Sequence, residues 1–496
     1  MHKLICLLPL LVLSLPQDRL ANKTASSPAG VVVGEHPDGV AAGVEILEKG
    51  GNAVDAAVAT ALAMGVALPS HSGIGGRSQL LIVMSDGTAL HIDGGAEVPQ
   101  LGGPDQVGGF KAVCTPGSVA ALAMALKEKG TMSWKDVIAP AIELARKNEK
   151  LAELQATYET LRDDGPEAFY TGKIADAIDA DMQARGGLVR KADLAAYKAI
   201  KHETLKGSYR GYDVATCDRP ASGLVVIEAL NVLETFDFGK VETEADRDHV
   251  LIEALRIAFE DRQMKWDDDS KRVATLGAKD HAKERAAKID LTKAVPAKIK
   301  PDHGGDTTHI TVVDRNGNAC SFTQTLGRWF GAGKAGQGLG FYYNATQGDS
   351  GTIAAGKRHT TGLSPTILLK NGKPYLVVGS AGETRIMSAV VCTIHRLVDR
   401  GQPISEAVFS PRFHWEGSML VREVRLAAKN LETPKDAIKT LESRGFTLQA
   451  QPSDPYFGRV QAAVWDSEKK EWAAAADPRN RTSTAKGADP AKVKSK

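Results

Sequence analysis

Residues 304–326 read Gly-Gly-Asp-Thr-Thr-His-Ile-Thr-Val-Val-Asp-Arg-Asn-Gly-Asn-Ala-Cys-Ser-Phe-Thr-Gln-Thr-Leu, and this stretch has the clearest strand and turn signals of the chain. Polar and apolar residues alternate over 308–314, which predicts a strand, and a return strand is predicted over 319–326. Asn316-Gly317 between them is the strongest short signal for a tight hairpin. The sequence therefore predicts an antiparallel hairpin preceded by a Gly-Gly-Asp lead.

Thr307, at the start of this hairpin, is the candidate nucleophile. A threonine hydroxyl is a weak nucleophile unless a base removes its proton, and the α-amine of a chain-terminal threonine, which titrates at about 7.7–8, can be that base. The amine exists only if the chain is cut before Thr307. In such a cut the hydroxyl attacks the Asp306 carbonyl, the acyl group shifts to oxygen, and water releases the ester. Taken alone, a Thr-Thr pair at a strand start is more often simple β-propensity.

The rest of the chain is helix-rich before residue 304 and strand-rich after it. Helical patterns cover residues 39–47, with Asp38 as the expected N-cap, and 53–68, 117–129, 134–147, 173–184, 223–233 and 248–263. Strands are predicted over 80–84, 89–92, 212–216, 366–369, 375–378 and 459–465. Alternating βαβ units and a Gly-rich phosphate loop are both missing from the pattern. This order predicts a layered α/β fold with an antiparallel sheet.

Composition excludes several classes of function. The 496 residues carry a formal net charge of +2 and only 5% aromatics, so we expect no nucleic-acid partner. Residues 1–21 have the basic start and short apolar run of a signal peptide, with an uncertain end, which predicts a periplasmic or secreted protein. No later run of about 20 apolar residues follows, so no stable membrane insertion is expected once the signal is removed. Neither His-x-x-x-His nor Cys-x-x-Cys occurs, so we expect no metal and no cofactor.

A series of short motifs runs in a fixed order through residues 30–480. They are Gly50-Gly51-Asn52-Ala53-Val54-Asp55-Ala56-Ala57, Gly73-x-Gly75-Gly76, Thr115-Pro116-Gly117-Ser118-Val119, Gly186-Gly187-Leu188, Tyr209-Arg210-Gly211-Tyr212, Asp261-Arg262, Thr307-Thr308-His309, Ser364-Pro365-Thr366, Gly379-Ser380-Ala381-Gly382, Pro411-Arg412-Phe413-His414 and Asp477-Pro478-Arg479. In these motifs the chain resembles the γ-glutamyltransferase family, also called γ-glutamyltranspeptidases or glutathione hydrolases.

The resemblance implies the α/β (α+β) class, with the four-layered αββα sandwich of N-terminal-nucleophile hydrolases. It implies a large subunit of residues 22–306 and a small catalytic subunit of residues 307–496, released by autocleavage between Asp306 and Thr307 and together forming one αββα unit. Thr307 matches the nucleophile and Thr325 the second threonine that bonds to it. The backbone amides of Gly382 and Glu383 match the oxyanion hole. Asp349 matches the acid that binds the substrate α-ammonium, and Thr361 one of two residues that bind the α-carboxylate.

Several substrate-binding positions depart from the family. Gly95 stands where the family has the arginine that pairs with the substrate carboxylate, and Gly327 and Gly362 replace an asparagine and a serine. Because a bidentate arginine–carboxylate pair is strong and geometrically specific, its loss is expected to weaken or change the acyl group accepted. Arg77 and Arg328 lie near the altered positions; they either replace that arginine or are ordinary surface residues. The lid loop seen over many family sites is also mostly missing.

Three functions follow from these observations. The first is hydrolysis or transfer of γ-glutamyl amides such as glutathione, with a small-molecule γ-glutamyl substrate. The second is a diverged acylase or poly-γ-glutamate hydrolase of the same fold, which an open cleft favours. The third, from another class, is a non-catalytic binding protein that kept the fold; retention of Thr307, Thr325 and Asp349 argues against it.

Overall fold

The structure is a computed structural model that describes residues 20–103, 108–262, 270–300, 305–347, 354–424, 432–452 and 456–494. Most of the predicted signal peptide, residues 1–19, lies outside this range, and so does Asp349. Within the described residues, no helix combines the length and the apolar character that a membrane crossing requires.

The described chain folds into strands and helices that are numbered here in chain order. The strands are β1 Thr24–Ser27, β2 Gly30–Gly34, β3 Arg77–Val83, β4 Ala89–Gly94, β5 Ile200–His202, β6 Leu205–Tyr209, β7 Tyr212–Thr216, β8 Thr308–Asp314, β9 Ala319–Thr325, β10 Thr366–Lys370, β11 Lys373–Ala381, β12 Phe413–Glu416, β13 Met419–Val424, β14 Leu448–Pro452, β15 Arg459–Asp466, β16 Glu471–Ala476 and β17 Thr484–Gly487. The helices are α1 Pro37–Glu48, α2 Ala53–Ala67, α3 Ser118–Lys129, α4 Trp134–Arg146, α5 Ala152–Asp164, α6 Lys173–Ala184, α7 Lys191–Ala196, α8 Gly223–Glu234, α9 Glu244–Arg262, α10 Ser270–Leu276, α11 Lys279–Ala286, α12 Arg385–Val398, α13 Ile404–Phe409 and α14 Lys435–Ser443.

Two seven-stranded sheets form the centre of the molecule. Sheet I has the order β1-β16-β15-β11-β10-β7-β6, and sheet II has the order β17-β2-β8-β9-β3-β4-β5. Every strand pair in both sheets is antiparallel. A small third sheet, β12-β13-β14, contains the one parallel pair among the described strands.

Three apolar clusters show that the sheets are stacked between helices. The cluster between the sheets includes Val33 and Leu81 of sheet II with Ile367 and Val377 of sheet I. A second cluster joins the other face of sheet II to α1–α6, and a third joins the outer face of sheet I to α8, α9 and α12. Alternate residues of each strand thus face different layers, as the two-residue period of a strand requires. The order helix, sheet, sheet, helix confirms the predicted αββα sandwich.

The predicted hairpin is present as β8 and β9, with Thr308 opposite Gln324 and Val313 opposite Ala319. Helix α2 packs on sheet II and is buried along nearly all its length, as its apolar sequence predicts. Asn52 caps α2 as expected, but Asp38 does not cap α1. The side chain of His36 accepts a hydrogen bond from the Asp38 amide instead. Pro37 begins the helix, a position that suits proline because the N–H of the first helical residue has no partner within the helix.

Candidate functional site

The hairpin places Thr307 and Thr325 next to each other at one end of the central strands of sheet II. Because Thr308 pairs with Gln324, the residues one step further along each strand lie side by side. Arg77 begins the next strand, β3, opposite Thr325. In sheet I the end of β11 reaches the same region, where Ala381 pairs with Arg459 of β15. The predicted nucleophile therefore lies where the ends of strands from both sheets meet.

The carbonyl of the peptide bond before Thr307 is hydrogen-bonded. The hydroxyl of Thr325 donates a hydrogen bond to the Asp306 carbonyl oxygen, and it accepts from the amide of Gly327 at 2.8 Å. Thr307 is fully buried, and its hydroxyl makes no hydrogen bond to any described residue. The arrangement thus combines a polarised carbonyl with an adjacent hydroxyl that is not engaged elsewhere.

The side chain of Asp306 is held by two groups that the sequence did not indicate. Nη2 of Arg459 donates to Oδ1 of Asp306 at 2.8 Å and to the carbonyl oxygen of Thr307 at 2.8 Å. Nε2 of His71 lies 3.3 Å from Oδ2 of the same carboxylate. The amide of Thr307 also donates to Oδ1 at 3.0 Å. Asp306 is therefore fixed on both carboxylate oxygens.

Arg459 is held in turn by Glu35, a buried carboxylate at the end of β2. Nε of Arg459 donates to Oε2 of Glu35 at 2.9 Å. The side-chain amide of Asn480 and the backbone amide of His309 also donate to the Glu35 carboxylate. Burial raises the pKa of Glu35 to about 7; Arg459 acts against this shift and Asp306 adds to it. Burial alone would lower the pKa of Arg459, but the Glu35 and Asp306 carboxylates raise it above its ordinary value. One guanidinium is thus shared by two carboxylates.

His71 is electrically neutral near pH 7. Burial lowers its pKa to about 4, although the Asp306 carboxylate opposes the shift. Its Nδ1 lies 2.7 Å from the Ser70 hydroxyl. If Ser70 donates this bond, the ring proton is on Nε2 and faces Asp306.

The predicted oxyanion pair, Gly382 and Glu383, forms the turn between β11 and α12. Both residues have left-handed backbone conformations, with φ of +125° and +57°. A glutamate in this region is strained, and such strain is typical of functional turns. A Cβ atom at Gly305 would lie 2.3 Å from Oε2 of Glu383 and 2.5 Å from the Gly327 carbonyl oxygen. Gly305 is therefore required by this close approach.

The predicted substrate-binding positions are only partly brought together. Asp349 is outside the described residues. Thr361 is buried, and its hydroxyl oxygen accepts from the amide of Leu363 at 3.3 Å. A Cβ at Gly362 would lie 2.8 Å from the Glu383 carbonyl oxygen, so a serine there would collide with the turn.

The two arginines that could replace the family arginine differ in their surroundings. Arg77 is buried at 3% exposure, so the surface alternative is wrong for it, whereas Arg328 is exposed. Beside Gly95 lies a third arginine, Arg358, whose Cδ would be 3.1 Å from a Cβ there. Its guanidinium is bound by Asp93 at 2.6 Å and by the Lys198 carbonyl oxygen. Arg358 is therefore engaged in a structural network.

A cluster that could hold a cation lies elsewhere, on three helices against the outer face of sheet I. Ligand atoms of Glu228, Asp261 and His281 lie within 4.8 Å of one another. No sequence spacing could indicate it, because the residues come from α8, α9 and α11. Nη1 of Arg285 lies 3.1 Å from Asp261, and this positive charge opposes a bound cation. The expected absence of a metal stays a prediction.

Comparison with known proteins agrees with this geometry. The family profile described as Gamma-glutamyltranspeptidase matches residues 39–150 and 147–487. The chain belongs to the γ-glutamyltranspeptidase family. Its similarity to the glutathione hydrolase proenzyme of Escherichia coli (strain K12) is 33% identity, covering 84% of this chain and 85% of that protein. The Acylase ACY 1 proenzyme of Pseudomonas sp. (strain SE83) is 32% identical, over 87% of this chain and 89% of that protein.

Among solved structures, the cephalosporin acylase from Bacillus halodurans has a TM-score of 0.83 with 26% identity. The match covers 93% of this chain and 96% of that one. The resemblance found in the sequence is thus confirmed over nearly the whole length. Members of both the hydrolase and the acylase branches of the γ-glutamyltranspeptidase family are similar to this enzyme.

Proposed function

We propose that the chain is the precursor of a self-processing γ-glutamyl amide hydrolase and transferase that acts on glutathione-like compounds. The observation that supports this most is the buried Thr307 hydroxyl beside the Asp306 carbonyl, which Thr325 polarises. In the first reaction Thr307 Oγ1 attacks that carbonyl, and the C–N bond of Asp306–Thr307 breaks as the nitrogen takes a proton. Water then hydrolyses the ester, which leaves residues 307–496 with Thr307 as the new N-terminus.

In the second reaction the freed α-amine of Thr307 takes the proton of its own hydroxyl. Oγ1 attacks the γ-amide carbonyl of the substrate, and the amine leaving group departs with a proton. Amides of Gly382 and Glu383 are proposed to stabilise the oxyanion; one such donor typically contributes about 3–4 kcal/mol. The acyl group on Thr307 passes to water or to an acceptor amine. Asp349 and Thr361 are proposed to bind the substrate α-ammonium and α-carboxylate.

The position of Arg459 favours the α-amine of Thr307 as the general base. Its guanidinium lies 2.8 Å from the Thr307 carbonyl oxygen, so a positive charge lies close to the α-amine that cleavage would create. A neighbouring positive charge disfavours protonation of an amine and keeps more of it in the free form near neutral pH.

The second candidate is an acylase with a different acyl preference. Gly362 has no room for a serine side chain, and Gly95 has no side chain to bind a carboxylate. The fold match to a cephalosporin acylase is consistent with this alternative. We also propose that residues 1–21 direct the protein to the periplasm or the exterior.

Intact-mass spectrometry of the purified protein, followed by a γ-glutamyl anilide assay, tests the proposal. Wild type should yield a fragment that begins at Thr307, and Thr307→Ala should remain one uncut, inactive chain. A wild-type chain that stays uncut and still turns over substrate would contradict the mechanism. A folded, uncut and inactive wild type would support the binding-protein alternative.

A further inference from the structure

We propose that Arg459, assisted by His71, binds a carboxylate of the acyl donor at the place that the Asp306 carboxylate occupies before cleavage. This inference rests on the proposed function. It assigns to Arg459 the carboxylate-binding role of the family arginine, whose position is occupied here by Gly95. Its starting point is that the chain itself is the first substrate of Thr307.

Asp306 shows how an acyl group lies beside the nucleophile. Its carbonyl carbon is the atom that Thr307 attacks, and two carbons, Cα and Cβ, lie between that atom and the carboxylate carbon Cγ. Oδ1 is 2.8 Å from Nη2 of Arg459 and Oδ2 is 3.3 Å from Nε2 of His71. In a γ-glutamyl group three carbons lie between the reacting carbonyl carbon and the carboxylate carbon. One extra methylene separates the two cases, so an acyl chain ending in a carboxylate can reach the same groups.

The guanidinium of Arg459 is expected to stay in place after the cut, because residues other than Asp306 also bind it. Nε of Arg459 donates to Glu35 at 2.9 Å, and Nη2 donates to the Thr307 carbonyl oxygen at 2.8 Å. Glu35 is fixed through its carbonyl by the Thr482 hydroxyl at 2.7 Å. None of these contacts involves Asp306, the residue that becomes the free chain end after the cut.

Release of Asp306 changes the charge around this guanidinium. Before the cut, Arg459 faces two carboxylates. The proposal requires that the new C-terminus at Asp306 moves out of the site after the cut, which leaves Glu35 as the carboxylate partner of Arg459. A buried arginine donor without an acceptor is costly, whereas a charge-assisted bond to a carboxylate is strong. A substrate carboxylate restores the lost partner, while a neutral acyl chain leaves Nη2 with only the Thr307 carbonyl oxygen as its acceptor.

Neither arginine considered from the sequence is placed in this way. The guanidinium that contacts Asp306 and the Thr307 carbonyl comes from Arg459, whereas Arg358 beside Gly95 is bound by Asp93. The acyl groups expected to fit are therefore those with two or three carbons between the reacting carbonyl carbon and the carboxylate carbon.

Steady-state kinetics on matched anilides test the inference. Glutaryl p-nitroanilide carries the carboxylate, and its glutaramoyl analogue replaces that group with an uncharged amide of the same shape. Wild type should prefer the glutaryl compound by about 10-fold or more in kcat/KM, as one charge-assisted bond predicts. Arg459→Gln should bring the ratio near 1 mainly by slowing the glutaryl reaction. Arg328→Gln, which changes an exposed arginine, should keep the wild-type ratio.

If Arg459→Gln fails to cleave itself, two other measurements test the inference. His71→Asn should reduce the glutaryl preference, and free glutarate should inhibit wild type at lower concentration than its uncharged diamide, glutaramide. An unchanged ratio in the cleaved variants, or equal inhibition by glutarate and glutaramide, would overturn the inference while the proposed function stands. A wild type that neither cleaves nor hydrolyses any anilide would instead overturn the proposed function.

Discussion

The hydroxyl of Thr325 is expected to control the rate of self-cleavage. It donates to the Asp306 carbonyl oxygen, where negative charge develops when Thr307 attacks, and it is oriented by the Gly327 amide at 2.8 Å. Thr325→Val keeps the shape and removes the donor. Loss of one such donor costs about 3–4 kcal/mol in the transition state, so cleavage should slow by about 10²–10³-fold.

Intact-mass time courses on freshly purified protein measure this rate directly. Thr311→Val is the matched control, because it removes another buried hydroxyl of the same hairpin, one that donates to the Gln461 carbonyl at 2.9 Å. The control should cleave at close to the wild-type rate. Thermal unfolding of both variants separates a catalytic effect from misfolding. A folded Thr325→Val protein that cleaves as fast as wild type would refute this role.

Three further outcomes are expected. Gly379→Ala should destabilise the fold by about 1–3 kcal/mol, because the added Cβ would lie 2.1 Å from the His309 ring. The control is Gly108→Ala, whose Cβ would have no neighbour within 4 Å and which should unfold at the wild-type temperature. Burial lowers the pKa of His309 and of His91 to about 3, so the unfolded state binds more protons below pH 6.5 and each of these residues should cost about 2 kcal/mol of stability by pH 5, while Glu35, whose pKa burial raises to about 7, acts in the opposite direction. Urea unfolding of wild type and of His91→Gln at pH 7 and pH 5 isolates one histidine: the variant should lose about 2 kcal/mol less than wild type, and equal losses would contradict this. EDTA should leave anilide turnover unchanged; a loss that one metal restores would assign a role to the cluster of Glu228, Asp261 and His281.

Local patterns predicted the centre of the site, and long-range contacts did not follow from them. The turn at Asn316-Gly317 and the alternating residues around it fixed the hairpin, from which the proximity of Thr307 and Thr325 follows. These signals act over a few residues, within which backbone propensity and turn geometry decide the structure. The motif resemblance added the sandwich fold, which periodicity alone could not specify.

Glu35, His71 and Arg459 were missed for a physical reason. Arg459 lies 424 residues from Glu35 and 153 from Asp306, and no spacing rule connects positions that only the packing of two sheets brings together. The one available signal was a charged residue at the end of an apolar strand, as at Glu35 after Val31–Val33. Helix α12 was also passed over, although its apolar residues Ile386, Val390 and Ile394 recur at helical spacing.

The way strands interleave affects how the protein can regain its structure after denaturation. Strand β2 lies between β17 and β8, and β1 and β7 pair with β16 and β10, so each sheet combines strands from before and after residue 307. In the uncut chain these strands are tethered, and their pairing is intramolecular. Once the tether is cut, the same pairing becomes a bimolecular encounter, whose rate depends on protein concentration. Cleavage therefore converts a fold that one chain can reach alone into one that two fragments must assemble, and recovery after urea should become concentration-dependent at the moment the enzyme matures.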